Sequence, residues 1–271
     1  MSKVLIISPK GGCGKSTFAF QILAPFFFSK KKEKTIVVDL DLANNEHKSY
    51  SRSSIIELQE NTINDLDPLL AVTKRNVIID TGATTLAQKA LEKIDEIDLI
   101  KSIDLFAIPI TRGKQSTSSA LDMYETIKEL KSDAKICFIL SDVYSTEEYP
   151  LEMQFIDFLG DKIHSTYLDH EQGKFDELKK SDPKISYLAI PQTPALYWSN
   201  QFGLTAYEFA DKLSTIQAKR EQLLEEVEKA PTKQAEFKLS TYKVQLAKRC
   251  RNFRKNVLED NLFKNLEQVL R

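Results

Sequence analysis

Ser8-Pro9-Lys10-Gly11-Gly12-Cys13-Gly14-Lys15-Ser16-Thr17 follows an apolar run, Val4-Leu5-Ile6-Ile7, and opens a helix-length segment over residues 15–28. A loop that binds phosphate needs glycines, so that successive backbone N–H groups can turn inward toward an anion. It also needs a following helix, whose N-terminus adds positive potential, and a lysine that reaches the outer phosphates. Gly14-Lys15-Ser16 supplies the end of that pattern, and the Ser16 hydroxyl is then placed for Mg²⁺. The strict pattern has glycine where this chain has Pro9, and Lys10 is an additional lysine directly before the glycines. Cys13 stands at a position the pattern leaves free and reads as a small space-filling residue. Pro25 lies inside the helix that follows, and it predicts a kink or an end there, because it lacks an N–H and crowds the preceding turn.

Outward from the loop, apolar runs of strand length alternate with amphipathic helical stretches. The strand candidates are 4–8, 35–39, 77–80, 105–108, 136–140 and 187–190. Helices are expected near 15–28, 84–97, 115–131 and 147–160. The strand runs are apolar without strict alternation, the pattern of strands covered on both faces. The order predicts an α/β fold, a doubly wound, mostly parallel sheet of the P-loop NTPase kind, with ligands bound beyond the carboxyl ends of the strands. The loops after Ser8, Asp39 and Asp80 are therefore the ones that matter. Residues 40–55 are polar and read as a loop.

After Gly203 the pattern is helical. Ala206, Phe209, Leu213, Ile216, Leu223 and Val227 recur at helical spacing, interrupted by Arg220, and Pro231 ends that helix. A division follows: residues 1–228 as the nucleotide-type domain and 229–271 as a basic helical extension.

Composition removes several classes. With 42% hydrophobic and 28% charged residues the chain is ordinary globular material, and no apolar run reaches the roughly 18 residues of a membrane span. The first strand is too short for the apolar core of a signal peptide. Cys13, Cys137 and Cys250 are far apart and form no C-x-x-C pair, which argues against a disulfide framework, a zinc site and an iron–sulfur cluster. The expectation is a reduced, cytoplasmic protein. The net charge of −1 conceals a split: residues 229–255 hold nine basic side chains against one acidic, so the remainder carries −9.

Lys10-Gly11-Gly12-x-Gly14-Lys15-Ser16-Thr17 resembles the deviant Walker A loop of the ParA/MinD family, with Lys10 matching that family's signature lysine. Two further motifs fit in order. Ile36-Val37-Val38-Asp39-Leu40-Asp41 is similar to the family's Walker A′ element; the resemblance implies that Asp39 belongs to the magnesium neighbourhood and that Asp41 orients the attacking water. Val77-Ile78-Ile79-Asp80-Thr81-Gly82 resembles Walker B, implying that Asp80 holds Mg²⁺ through water and that the Gly82 N–H approaches the γ-phosphate. Relatives often have prolines after this Asp, where Thr81-Gly82-Ala83 departs. Ala189-Ile190-Pro191-Gln192 through Gly203-Leu204-Thr205 resembles the family's loop and helix beside the base, with contacts from backbone near Pro191. Relatives show an adenine-reading Asn after the strand ending Ile139-Leu140, whereas Ser141-Asp142 stand here. The Asp142 carboxylate can accept from adenine N6 or equally from guanine N1 and N2.

The resemblance covers about residues 3–215 in motif order. It implies a slow, switch-type ATPase with ATP and Mg²⁺ as cofactors. Catalysis would fall to Lys10, Lys15 and Asp41, nucleotide binding to Lys10–Thr17 with Asp142 and Pro191, and the metal to Ser16, Asp39 and Asp80. It further implies a homodimer formed with ATP, in which Lys10 of each subunit reaches the other's phosphates, and a ParB-like or other partner that stimulates hydrolysis. The reading is a partition or DNA-transfer ATPase that binds DNA without sequence preference and associates with the nucleoid. The alternative is a MinD-like positioning ATPase at a membrane. A metabolic ligase using the same loop lacks a supporting constellation, and the nitrogenase-reductase branch lacks its paired cysteines.

On a helix over 237–255, Leu239, Tyr242, Leu246, Cys250 and Phe253 share one stripe, with Lys238, Lys243, Lys248, Arg249, Arg251, Arg254 and Lys255 around it. An apolar seam with a basic outer face suits nucleic acid, with Lys243, Lys248, Arg249, Arg251, Arg254 and Lys255 as the contacts. An anionic membrane and a merely solvated face remain open. Leu262, Phe263, Leu266, Val269 and Leu270 form a second stripe, flanked by mixed charge, that suits packing against protein.

Overall fold

The computed structural model describes residues 1–40, 50–58, 60–82, 85–144, 149–160 and 173–271. In chain order the strands are β1 (Lys3–Ile6), β2 (Thr35–Asp39), β3 (Ser53–Glu57), β4 (Val77–Asp80), β5 (Leu105–Ile110), β6 (Ile136–Val143) and β7 (Ser186–Pro191). The helices of the first half are α1 (Ala24–Lys31), α2 (Leu66–Val72), α3 (Thr85–Glu96), α4 (Lys114–Leu130), α5 (Leu151–Gln154), α6 (Ile156–Leu159) and α7 (Lys174–Ser181). Then come α8 (Pro194–Gln201), α9 (Ala206–Asp211), α10 (Leu213–Lys229), α11 (Gln234–Phe253) and α12 (Phe263–Leu270).

The strands form one all-parallel sheet of seven, ordered β3-β2-β4-β1-β5-β6-β7. Alternate side chains divide between two cores. Val4, Ile6, Val37, Ile78, Leu105 and Ile139 face one side; Leu5, Ile7, Val38, Ile79, Phe106 and Phe138 face the other. This is why the strands read as unbroken apolar runs. The helix after β1 packs in the first core and α3 in the second. Loops leaving neighbouring β1 and β4 thus diverge to opposite faces and open a crevice at their carboxyl ends.

Three local expectations need correction. Residues 53–57, assigned to a loop, form β3, paired in register with β2 from Thr35↔Ser53 to Asp39↔Glu57. As an edge strand it shows only a short apolar pair, Ile55 and Ile56. Pro25 does not end its helix: wide π-type turns over Thr17–Leu23 run directly into α1, which carries Pro25 near its start and continues to Lys31. The single helix expected near 147–160 is two short ones, because Phe155 leaves helical geometry (φ −124°, ψ 41°).

The extension packs on the body. Leu246, Ala247, Cys250, Phe253, Leu258, Leu262, Phe263 and Leu266 lie in the same core as β1 and the phosphate-loop helix. Phe263 meets Phe26 edge-on with ring centroids 5.4 Å apart, and Lys30 Nζ pairs with Glu267 at 2.6 Å. The buried line of α11 is Ser240, Val244, Leu246, Ala247, Cys250 and Phe253. Leu239 and Tyr242, expected on that seam, are instead exposed.

Candidate nucleotide site and basic surface

The loop after β1 takes a conformation that its glycines permit. Gly12 has φ +67° and Gly14 φ +92°, in the left-handed region. A Cβ on Gly14 would lie 2.8 Å from Ser141 Oγ, so a side chain there would also have to displace that hydroxyl. The Phe18 N–H then donates to Gly14 O at 2.9 Å and starts the helix.

Lys15 is buried, its ammonium donating to Lys10 O at 3.0 Å and Ser8 O at 3.3 Å. Cys13 is buried too, and its thiol donates to Lys10 O at 3.1 Å. Lys10 points away from the loop: its Nζ donates to Thr111 Oγ1 at 3.0 Å, just beyond β5. The two lysines of the motif therefore occupy different ground, one inside the loop and one reaching past it.

Asp39 and Asp80 are cross-strand partners at the carboxyl ends of β2 and β4, and Ile6 pairs with Asp80 from the other side. Both carboxylates are buried. The Thr81 N–H and hydroxyl both donate to Ile6 O, at 3.2 and 3.0 Å, which ties the end of β4 to the start of the phosphate loop. The two carboxylates, side by side at the strand ends, are hard oxygen donors. Such donors suit Mg²⁺ completed by phosphate and water better than a metal caged by protein alone. Among the described residues no group of three or more His, Cys, Asp or Glu could hold a metal ion. Asp41 lies outside the described residues.

A cavity of about 810 Å³ runs from Gly11–Thr17 to Asp142, Pro191 and α8. Asp142 adopts φ +58° where the β6–β7 register shifts between Leu140 and Val143, and the Gln192 N–H donates to Val143 O at 2.8 Å. A register irregularity of this kind re-aims side chains at a strand end. The structure thus brings Gly11–Thr17, Asp142 and Pro191 to one cavity, whereas Lys10, expected among the nucleotide contacts, lies outside its lining with its Nζ on Thr111.

Several lining residues escaped the sequence reading, among them Gln21, Tyr50, Tyr197, Trp198 and Asn200. Gln21 had a signal, as the only polar side chain in Phe18-Ala19-Phe20-Gln21-Ile22-Leu23. It accepts from the Ala206 N–H at 2.8 Å and donates to the Tyr50 hydroxyl at 3.4 Å, and Tyr50 in turn bonds Asn200. Thr205 and Glu208 form a capping box that also holds the chain just before β3. Glu208 accepts from the Ser51 N–H at 2.6 Å and the Arg52 N–H at 3.1 Å.

The basic residues of the extension part company. Lys248, Arg249, Arg251 and Lys255 are exposed, as is Lys238. Lys243 lies over the Phe202 ring at 4.9 Å. Arg254 is turned into the body: it pairs with Asp211 and, at 2.8 Å, with Glu259, donates to the Tyr207 hydroxyl, and sits 3.7 Å from that ring's centre. A second cationic groove, of about 570 Å³, lies at the opposite end of the sheet, lined by Lys31, Lys34, Lys74 and Arg75 with Glu33. Counting charge by segment concealed it.

The parallel sheet, the glycine loop after β1 and the buried carboxylates define a P-loop type nucleotide-binding protein. Residues 4–172 match the model of the CobQ/CobB/MinD/ParA nucleotide binding domain, and the chain belongs to that family. No curated protein matches it in sequence. It is similar to the MinD cell division protein of Aquifex aeolicus, at 13% identity over 78% of this chain and 90% of that one, with a TM-score of 0.48. It is also similar to the septum site-determining protein MinD of Pyrococcus horikoshii OT3, solved with Mg-ADP (13% identity, 75% and 86% covered, TM-score 0.46). A third likeness is to a putative plasmid partition protein of Borrelia burgdorferi B31 bound to AMPPNP (17% identity, 72% and 88% covered, TM-score 0.41).

Proposed function

We propose that this chain is a ParA-like ATPase that binds Mg-ATP, dimerises on it, and binds DNA without sequence preference in the dimeric state. A partner protein then stimulates slow hydrolysis and releases the DNA. The observation that carries the reading is the pairing of a lysine that leaves its own loop, Lys10, with an exposed basic face on α11. Lys15 neutralises the outer phosphates of its own subunit, and Lys10 reaches those of the partner subunit. The Ser16 hydroxyl with Asp39 and Asp80 would hold Mg²⁺, which when bound neutralises charge on the β- and γ-phosphates. Asp41 orients the attacking water, and loss of the γ-phosphate releases the loops near Asp41 and Gly82. DNA is met by Lys248, Arg249, Arg251 and Lys255, and the dimer brings two such faces to one duplex at the nucleoid.

The burial of Leu262, Phe263 and Leu266 weighs against a membrane role, since the terminal apolar stripe is spent on the core. No helix among the described residues is long and apolar enough to cross a membrane. The test is co-sedimentation of the ATP-loaded protein with random-sequence DNA and, separately, with anionic liposomes. ATP-dependent pelleting with DNA alone is the expected result. Pelleting with liposomes alone would transfer the chain to the MinD-like reading.

A further inference from the structure

The ammonium of Lys10 is held by a small chain of hydroxyls. It donates to Thr111 Oγ1 at 3.0 Å, in the turn between β5 and α4. Thr111 is fixed in its turn by Ser116, a 3% exposed side chain in the first turn of α4. Ser116 Oγ accepts from the Thr111 N–H at 2.9 Å and from the Thr111 hydroxyl at 3.1 Å. Because that hydroxyl spends its proton on Ser116, Thr111 Oγ1 offers lone pairs to the lysine, and an ammonium can only donate.

The backbone end of Lys10 is fixed as well. Its N–H donates to Ser8 Oγ at 3.3 Å, and its carbonyl accepts from the Lys15 ammonium at 3.0 Å and the Cys13 thiol at 3.1 Å. With both ends held, the charge of Lys10 sits beyond β5 and outside the lining of the nucleotide cavity. Among the described residues its only side-chain partner is that neutral hydroxyl. A hydroxyl orients an ammonium but gives it none of the Coulomb attraction of an anion, so a phosphate brought within reach takes the ammonium over.

We infer that Thr111, oriented by Ser116, is a positioning residue that parks Lys10 on its own subunit and so opposes the ATP dimer until the partner's phosphates claim the ammonium. The inference rests on the proposed role of Lys10 across the dimer and adds what restrains it. Each subunit gives up its Thr111 contact on dimerising, so the restraint is counted twice in one dimer. One such hydrogen bond is worth about fivefold in an equilibrium, and two together about 25-fold in the dimer dissociation constant.

The full chain is loaded with Mg²⁺ and a non-hydrolysable ATP analogue, and the dimer dissociation constant is read by sedimentation velocity across a concentration series. Thr111→Val keeps the shape of the side chain and removes its acceptor, and should tighten the dimer about 25-fold. Tightening is an effect that damage to the fold does not produce. Thr111→Ser keeps the hydroxyl and should dimerise as the wild type does. Lys10→Ala should dimerise more weakly than the wild type, and adding Thr111→Val to it should bring no gain, because no ammonium is left to release. An unchanged or weaker dimer in Thr111→Val would overturn the parking role, as would tightening that persists in the Lys10→Ala background or appears in Thr111→Ser. A Lys10→Ala protein that dimerises as tightly as the wild type would instead remove the cross-dimer role of Lys10, and the restraint with it.

Discussion

Replacing Lys248, Arg249, Arg251 and Lys255 together by Ala should remove the salt-dependent part of DNA binding that the C-terminal extension supplies, whereas Arg254→Ala should cost stability instead. Each cation that neutralises a DNA phosphate contributes roughly 0.9 to the slope of log affinity against log salt. Four exposed cations on one tail can therefore supply a slope of up to about 3.6, or about a 150-fold loss of affinity between 50 and 200 mM salt. The quadruple variant should lose that steepness and keep its melting temperature, because the four side chains are exposed. Arg254 differs because its guanidinium is shared by Asp211, Glu259 and the Tyr207 ring, with about a quarter of the side chain exposed. Partly screened ion pairs and one cation–π contact together are worth about 1–2 kcal/mol. Arg254→Ala should thus lower the melting temperature by a few degrees and leave the salt slope almost intact. The assay is fluorescence anisotropy with a random-sequence duplex across a salt series, in ATP, beside thermal melts of each variant. A slope unchanged in the quadruple variant would refute the assignment of DNA to this face. The cationic groove of Lys31, Lys34, Lys74 and Arg75 would then be the next surface to strip.

Lys15→Ala should abolish nucleotide binding, while Lys10→Ala should spare binding by the monomer and weaken the ATP dimer; calorimetry and light scattering separate the two effects. Gly14→Ala combines a left-handed φ with a Cβ 2.8 Å from Ser141 Oγ, so nucleotide affinity should fall more than tenfold, whereas Gly113→Ala, strained by its own φ but outside the cavity lining, should cost stability and leave nucleotide affinity unchanged. Burial pushes the Cys250 thiol up to about 12, against an ordinary value of 9.0, so at pH 8 its thiolate is about a thousandfold scarcer than for a free thiol. Alkylation by iodoacetamide should accordingly be slow in the folded protein, and rapid labelling by mass spectrometry would show that α11 lifts from α8. Glu208→Ala strips the acceptor from the Ser51, Arg52 and Thr205 N–H groups and should cost about 2–4 kcal/mol in urea unfolding.

The parts of this molecule that were legible in its sequence are those whose physics is local. A strand buried on both faces must be apolar at every position, so β2 and β4 announce their own limits at 35–39 and 77–80. A phosphate loop draws its donors from consecutive residues, so Gly11–Ser16 reads directly. β3 was lost because an edge strand needs no such run: Ser53 and Ser54 begin it, and only its pairing with β2 makes it a strand. The face of α11 was misjudged for a related reason. Which stripe of a helix is buried depends on what lies beneath it, and here the close approach is made by Ser240, Val244 and Ala247, while Leu239 and Tyr242 stay exposed. Charge is harder still, since Arg254 is claimed by Asp211 from 43 residues away, and no tally of basic residues distinguishes it from Lys255. The lining of the cavity shows the same contrast. Its phosphate part is one unbroken loop, whereas the rest joins Asp142, Pro191 and Tyr197 from the ends of β6 and β7 and the start of α8. Those residues become neighbours only through the order of the strands, so the chemistry of that part is a property of the topology.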